Sequence, residues 1–229
     1  MGKPFLDGRT MIMAGQADQK MVAYPISKRH DERGESLINW IAELRVPTDA
    51  PPRDDWNRQV DRQIFAPRFA DWKFDWLDVP ALIASAGQVY EFPMVDRDPL
   101  PAWSRGRVTL LGDAAHPMYP IGSNGATQAI LDARALCDAL ATHNDVREAL
   151  VRYESERLPR TARIVMANRG QGPDHVLEIA RARAPAGFGH IHQVISQMEL
   201  ESIAMGYKKV VGLDVESVND RHRTLQVQS

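Results

Sequence analysis

An aspartate that follows a glycine at the end of an apolar run is the first feature with chemical meaning. Residues 107–111 are Arg-Val-Thr-Leu-Leu, which is typical of a buried strand, and Gly112 and Asp113 follow directly. Open α/β sheets bind ligands at the carboxyl ends of their strands. The residues next to Asp113 include no lysine or arginine. A neutral polyol therefore suits this carboxylate, which can accept two hydroxyl hydrogen bonds.

A turn of small residues, Gly122-Ser-Asn-Gly125, then opens a predicted long helix. The start of a helix presents unpaired N–H groups and the positive end of the helix dipole, which favour an anion or a carbonyl oxygen. Gly122 and Gly125 would let a flat ligand approach the backbone closely. The helix has apolar residues at helical spacing, and we expect this face, including the thiol of Cys137, to be buried: Ala126, Ala129, Ile130, Ala133, Cys137 and Leu140.

The elements that must position these residues are short strands followed by long helices. Residues 10–14 and 20–26 predict a β-hairpin, and residues 36–45 predict a third strand, although their apolar residues would also suit a helix. Further predictions, in chain order, are a helix over 54–70 capped by Asp54 or Asp55, a helix over 79–86 and a strand over 88–92. A helix over 145–168 with a kink at Pro159 and helices near 176–183 and 190–205 complete the predicted elements.

Composition limits the class of protein. The 229 residues are 44% hydrophobic and 25% charged, as in ordinary globular domains. A net charge of −2 argues against a nucleic-acid partner. One cysteine excludes an internal disulfide framework, and no apolar run is long enough for a membrane span. We expect a cytoplasmic protein in a reducing compartment.

The segment from Gly106 to Ala133 resembles the second flavin motif of single-component FAD-dependent aromatic hydroxylases with the p-hydroxybenzoate hydroxylase fold. Its Gly-Ser-Asn-Gly loop is most similar to the phenazine-carboxylate and salicylate hydroxylase-like branch. The similarity continues through Tyr153–Arg160 and, weakly, through 24–26 and 92–95. The resemblance implies an α/β (α+β) fold: a substrate-domain sheet portion over 1–95, the second half of an FAD-binding domain over 96–170, and a C-terminal helical segment over 171–229.

The resemblance also implies roles for individual residues. Asp113, with Gly112 beside it, would bind the ribityl hydroxyls of FAD, and Pro120 would lie beside the isoalloxazine ring. The backbone of Gly122, Ser123, Asn124, Gly125 and Ala126 would hold the pyrimidine edge of the flavin. The implied reaction is hydroxylation of an aromatic small molecule with NAD(P)H and O2. Many relatives have glycine where this chain has Ser123 and asparagine where it has Thr127, which indicates a subfamily.

Four aromatic residues are candidates for a substrate pocket, although as strand residues they are equally suited to the core: Tyr24, Trp40, Tyr90 and Phe92. His116 is more consistent with a structural than a catalytic role. We assign no catalytic side chain and no metal ligand. A metallohydrolase reading based on Asp113, His116 and Asp132 lacks the further ligands that such a site needs.

The chain has no Gly-x-Gly-x-x-Gly sequence, the motif with which the same family holds the ADP part of FAD. We therefore expect a fragment or a truncated product that retains FAD weakly and is inactive alone. Unpaired backbone and exposed apolar surface would favour self-association or a missing N-terminal half as partner. The alternative function is a non-catalytic protein that binds a partner or a planar small molecule.

Overall fold

The computed structural model describes residues 5–16, 18–46, 55–170 and 172–219. The chain divides into two compact units, Met1–Pro93 and Met94–Ser229. The described elements confirm a mixed α/β protein in which short strands precede long helices. No helix in these described ranges is both long and apolar enough to cross a membrane.

The first unit is built on a three-stranded antiparallel sheet in the order β1-β2-β3, with β1 at Ile12–Gln16, β2 at Gln19–Pro25 and β3 at Ile38–Leu44. The short helix α1, Lys28–Asp31, lies between β2 and β3. The hairpin prediction is confirmed, and the ambiguous 36–45 segment is a strand. Its cross-strand pairs include Lys20 and Glu43, whose side chains form a salt bridge of 3.0 Å.

Short elements complete this unit. They are β4 at Arg58–Gln59, β5 at Lys73–Phe74, β6 at Leu77–Asp78, helix α2 at Val79–Ser85 and β7 at Tyr90–Glu91. The strands pair as β4 with β7 and β5 with β6. The core of the unit is an apolar cluster of Met21, Phe69, Leu77, Val79 and Ile83. The predicted α2 helix is confirmed, and Asp78 caps it by accepting a hydrogen bond from the Ala81 N–H.

The second unit is mainly helical, with α3 at Gly125–Thr142, α4 at Val146–Arg169, α5 at His175–Arg183 and α6 at Gln197–Val211. Asp145 caps α4 by accepting hydrogen bonds from the N–H groups of Arg147 and Glu148. Pro159 lies inside α4. The apolar core of the unit includes Trp103, Ala115, Ala139, Ala149 and Tyr153.

The helix prediction over 54–70 is wrong. The described part of this segment contains β4 and two 3₁₀ turns, Arg62–Ile64 and Ala66–Phe69. The Asp61 side chain accepts a hydrogen bond from the Gln63 N–H and starts the first turn, and Pro67 lies in the second. Of the two candidate caps, Asp54 lies outside the described residues. The helix predicted over 190–205 begins later, at Gln197, because His190 and Gln193 form a capping box around a separate 3₁₀ turn.

The buried strand predicted over 107–111 is also wrong in this chain. Within the described residues this segment makes only an isolated bridge between Arg105 and Val108, and Leu111 is extended. The Val108 side chain is 69% exposed and that of Leu111 is 36% exposed. A strand needs the backbone of a neighbour to form a ladder, and no described segment supplies one along these residues.

Candidate functional site

The turn that carries Asp113 depends on the conformation of Gly112. The backbone of Gly112 has φ +61°, a left-handed value that favours glycine, and it opens a 3₁₀ turn over Gly112–Ala114. A Cβ on Gly112 would lie 3.3 Å from the Cβ of Ala129 on α3. Asp113 itself is exposed. The turn therefore packs against α3 and leaves the Asp113 carboxylate open to a ligand.

A buried network of charged side chains supports the same turn. The carboxylate of Asp132 on α3 accepts hydrogen bonds from the Gly112 N–H at 3.1 Å, His116 Nε2 at 2.5 Å and Arg157 Nε at 2.6 Å. Arg157 also donates to Oε1 of Gln128 at 2.8 Å. Burial raises the pKa of Asp132, but hydrogen bonds and positive charge from His116 and Arg157 outweigh it, so the net shift is downward. Asp132 therefore remains ionised and fixes the position of Gly112.

These contacts indicate a structural role for His116. Its ring is buried, lies 5.5 Å from the ring of Trp103, and uses Nε2 to bind Asp132. Asp132 also accepts a hydrogen bond from Arg157, and Asp113 is exposed. Across the described ranges, no group of three or more His, Cys, Asp or Glu residues could hold a metal ion. The geometry thus gives no support to the metallohydrolase reading.

The loop before α3 contains two successive residues in the left-handed region, Gly122 with φ +75° and Ser123 with φ +50°. The phenol of Tyr207, on α6, occupies the space where a Cβ of Gly122 would lie. Gly122 is therefore needed for this packing, and the expectation that it leaves room for a flat ligand is wrong on its Cβ side. At Gly125 a Cβ would meet only Met118 Cγ at 4.0 Å, so space remains there.

The N-terminus of α3 can receive an acceptor group. Asn124 occupies the cap position but makes no side-chain cap hydrogen bond, and the first turn contains no acidic residue. Oδ1 of Asn124 is buried and has no hydrogen-bond partner among the described residues. Pro120, Ser123 and Ala126 are exposed around this end of the helix. An uncapped helix start with small, open neighbours fits the carbonyl edge of a flavin.

The four aromatic pocket candidates do not share one surface. In the β2–β3 register, Tyr24 lies opposite Asn39 and Ala23 lies opposite Trp40. Because neighbouring strand residues point to opposite faces, Tyr24 and Trp40 lie on different faces of the sheet. Trp40 packs against the apolar core, with its ring 6.1 Å from that of Phe65. Tyr90 and Phe92 are exposed, at 39% and 59%, and their role in a pocket stays a prediction.

Sequence reasoning missed two sets of residues. The first is the buried network in which Arg157 binds both Asp132 and Gln128. Gln128 and Asp132 lie at i and i+4 on one face of α3, and this spacing could have indicated a shared partner. The second is Tyr207, whose contacts with the Gly122 loop join positions more than 80 residues apart. No local pattern reveals such a contact.

Comparison with known proteins agrees with the geometry of this site. The chain is 52% identical over 167 residues to the phenazine 1,6-dicarboxylic acid hydroxylase PhzS of Lysobacter antibioticus, covering 72% of this chain and 41% of that protein. It is 39% identical over 153 residues to a 3-amino-4-hydroxybenzoate 2-monooxygenase of Streptomyces platensis, covering 66% of this chain and 36% of that protein. The chain thus spans less than half the length of these curated relatives.

A solved structure supports the fold. The structure of an HpxO variant of Klebsiella pneumoniae complexed with FAD aligns with a TM-score of 0.61 and 21% identity, covering 90% of this chain and 50% of that one. Residues 16–168 match the family described as the FAD binding domain, and this range includes the Asp113 turn, the Gly122 loop and the Asp132 network. The chain therefore belongs to the FAD-binding domain family.

Proposed function

We propose that this chain forms part of an FAD-dependent monooxygenase that hydroxylates an aromatic ring. In the overall reaction an aromatic C–H becomes C–OH, one atom of O2 enters the product and the other leaves as water, and NAD(P)H is oxidised. When bound, FAD supplies the redox chemistry of this reaction. The two curated relatives are named for aromatic carboxylic acids, so we propose a substrate of that class.

The observation that carries this proposal is the pairing of an exposed carboxylate with a rigid support. Asp113 projects from a turn whose Gly112 N–H is fixed by the buried Asp132. A carboxylate held in this way can accept hydrogen bonds from two ribityl hydroxyls without first paying the entropy of ordering its backbone. The α3 N-terminus then stabilises negative charge at the pyrimidine edge of the flavin.

The chain contributes only one side of this site. It has no Gly-x-Gly-x-x-Gly sequence to hold the ADP portion of FAD. We propose residues 1–95 as a portion of the substrate domain, 96–170 as the second half of the FAD-binding domain and 171–229 as a C-terminal helical segment. Because NAD(P)H is an intracellular reductant and the chain has one cysteine, we propose that it acts in the cytoplasm.

Titration with FAD, followed by the quenching of flavin fluorescence, tests the role of Asp113. We expect the chain alone to bind FAD with a dissociation constant above about 1 µM, and Asp113→Ala to weaken binding about tenfold, which corresponds to about 1.4 kcal/mol. Asp138→Ala is the matched control, because Asp138 is an exposed carboxylate of α3 that pairs with Arg134. Equal affinities of the two variants would refute the assignment of Asp113.

Addition of the N-terminal portion of the Lysobacter hydroxylase tests the function itself. We expect a yellow complex with absorption near 450 nm and oxidation of NAD(P)H in the presence of an aromatic carboxylic acid. A complex that forms but stays colourless would favour the alternative, a non-catalytic protein that binds a partner or a planar small molecule.

A further inference from the structure

Tyr207 lies in the middle of α6, outside residues 16–168 that match the FAD-binding domain family. Its side chain is half-buried, and its ring reaches the loop that precedes α3. The proposed function gives this helix no role. The contacts of its hydroxyl group supply one.

The Tyr207 hydroxyl is the centre of a hydrogen-bond cluster. It accepts a hydrogen bond from Asn124 Nδ2 at 2.7 Å, and its proton lies within reach of Asn168 Oδ1 at 2.7 Å and the Ile121 carbonyl at 3.1 Å. Asn168, on α4, in turn donates from Nδ2 to the Tyr119 carbonyl at 2.9 Å. Burial raises the pKa of Tyr207 to about 12, so the phenol keeps its proton at neutral pH.

Two glycines make room for the ring. Cβ atoms at Gly122 and at Gly172 would both collide with Tyr207, and both glycines have left-handed backbones, with φ +75° and +48°. Gln128 Nε2 adds a second link between α3 and α6 by donating to the Val211 carbonyl at 3.3 Å. The loop over 119–124 is thus held from one side at the Tyr119 carbonyl, the Ile121 carbonyl and the Asn124 side chain.

We propose that Tyr207 is a positioning residue for the cofactor: it fixes the 119–124 loop from the C-terminal helix, so that the uncapped start of α3 faces the flavin in one geometry. The proposal rests on the proposed function, because it assigns the fixed loop to the flavin. Tyr207 acts through Asn124 and the Ile121 carbonyl, and it does so from the side of the loop where a Gly122 Cβ would stand.

The test compares Tyr207→Phe with Tyr153→Phe in the full chain. Both changes are nearly isosteric, because each removes only a hydroxyl group from a tyrosine of the same unit. The Tyr153 hydroxyl binds the Leu110 carbonyl, outside the 119–124 loop. Hydrogen exchange of the amides of residues 119–126 is read by mass spectrometry, and FAD affinity is read by flavin fluorescence. Thermal melting of each variant verifies that both are folded.

We expect Tyr207→Phe to speed exchange of this segment about tenfold and to weaken FAD binding about tenfold, the loss of roughly one net hydrogen bond. Tyr153→Phe should change the exchange of residues 119–126 less than about twofold at a similar melting temperature. Unchanged exchange in Tyr207→Phe overturns the proposal. Faster exchange with unchanged FAD affinity overturns the cofactor role, because Tyr207 then supports the fold alone.

The outcome for the proposed function is read separately. If the unmodified chain binds no FAD at any concentration, alone or with the N-terminal portion of the Lysobacter hydroxylase, the proposed function fails, and the cofactor role of Tyr207 fails with it. The exchange data still decide in that case whether Tyr207 fixes the loop.

Discussion

At the residue scale, the buried carboxylate of Asp132 connects the stability of the second unit to the candidate site. It is fully buried and accepts hydrogen bonds from a histidine, an arginine and a backbone N–H. Removal of one partner from a buried ion pair leaves an uncompensated charge, which is far more costly than loss of a surface pair. The same carboxylate orients Gly112, so a change at Asp132 should act on folding and on the Asp113 turn together.

Asp132→Asn should lower the free energy of unfolding at pH 7 by about 3 kcal/mol, because it leaves Arg157 buried without its anion. Urea unfolding measures this change. Asp138→Asn, on the exposed side of α3, is the control and should cost less than about 0.5 kcal/mol. A cost as small as that of the control would mean that the buried pair contributes nothing to stability.

The pH dependence of stability gives a second test of Asp132. Its pKa in the folded chain is lowered relative to the unfolded value of about 3.9. A group of this kind stabilises the folded state above the unfolded pKa, and the contribution is lost as the pH falls through the folded pKa. Unfolding curves should therefore show a loss of stability below about pH 4 that is smaller in Asp132→Asn. An identical acid profile in both proteins would contradict the low pKa.

At the scale of elements, the loop before α3 contains two glycines with opposite requirements. Gly122 has a positive φ and is covered by Tyr207, whereas Gly125 has free space around its Cβ position at the first residue of the helix. We expect Gly122→Ala to lower the free energy of unfolding by about 2 kcal/mol or more through strain and lost packing. Gly125→Ala should leave it unchanged or raise it by about 0.5 kcal/mol, since alanine restricts the unfolded chain.

Thermal or urea unfolding of the two variants distinguishes these requirements, and each variant is the control for the other. If both substitutions were equally tolerated, the Tyr207 ring would not occupy the Gly122 side of the loop. If both were equally harmful, a close approach at Gly125 that the structure does not show would have to exist.

Elements set by local pattern were predictable, and those set by distant partners were not. The β1–β2 hairpin and helices α2, α3 and α4 follow from alternation and helical spacing. A helix was predicted over 54–70 because Trp56, Val60 and Ile64 have helical spacing. The structure has 3₁₀ turns there instead, one started by Asp61 and one containing Pro67. The Asp113 turn was readable from its Gly-Asp sequence, but Tyr207 was not, because its loop contacts lie far along the chain.

At the scale of the whole molecule, α3 has apolar residues on both its buried side, where Ala139 joins the core, and its exposed side. Its buried residues include the polar Gln128 and Asp132, which serve the Arg157 network. The face expected to be buried is exposed at five of its six residues, and only Ala129 is half-buried, so the expectation is wrong for the other five. Five residues at helical spacing are exposed instead: Ala126, Ile130, Ala133, Cys137 and Leu140. These five residues form an exposed apolar stripe, which another surface could cover.

The exposed stripe predicts concentration-dependent self-association of the chain. Ile130 is 70% exposed and is the most exposed large apolar residue of the stripe. Ile130→Glu should therefore weaken association at least tenfold while changing the free energy of unfolding by less than about 0.5 kcal/mol. Val151→Glu is the control, since Val151 is 64% exposed on α4 but lies among Arg147, Glu148, Arg152 and Ser155. Sedimentation velocity over a range of concentrations measures both effects. A chain that stays monomeric throughout, or an equal effect of the two glutamates, would show that the apolar stripe does not drive association.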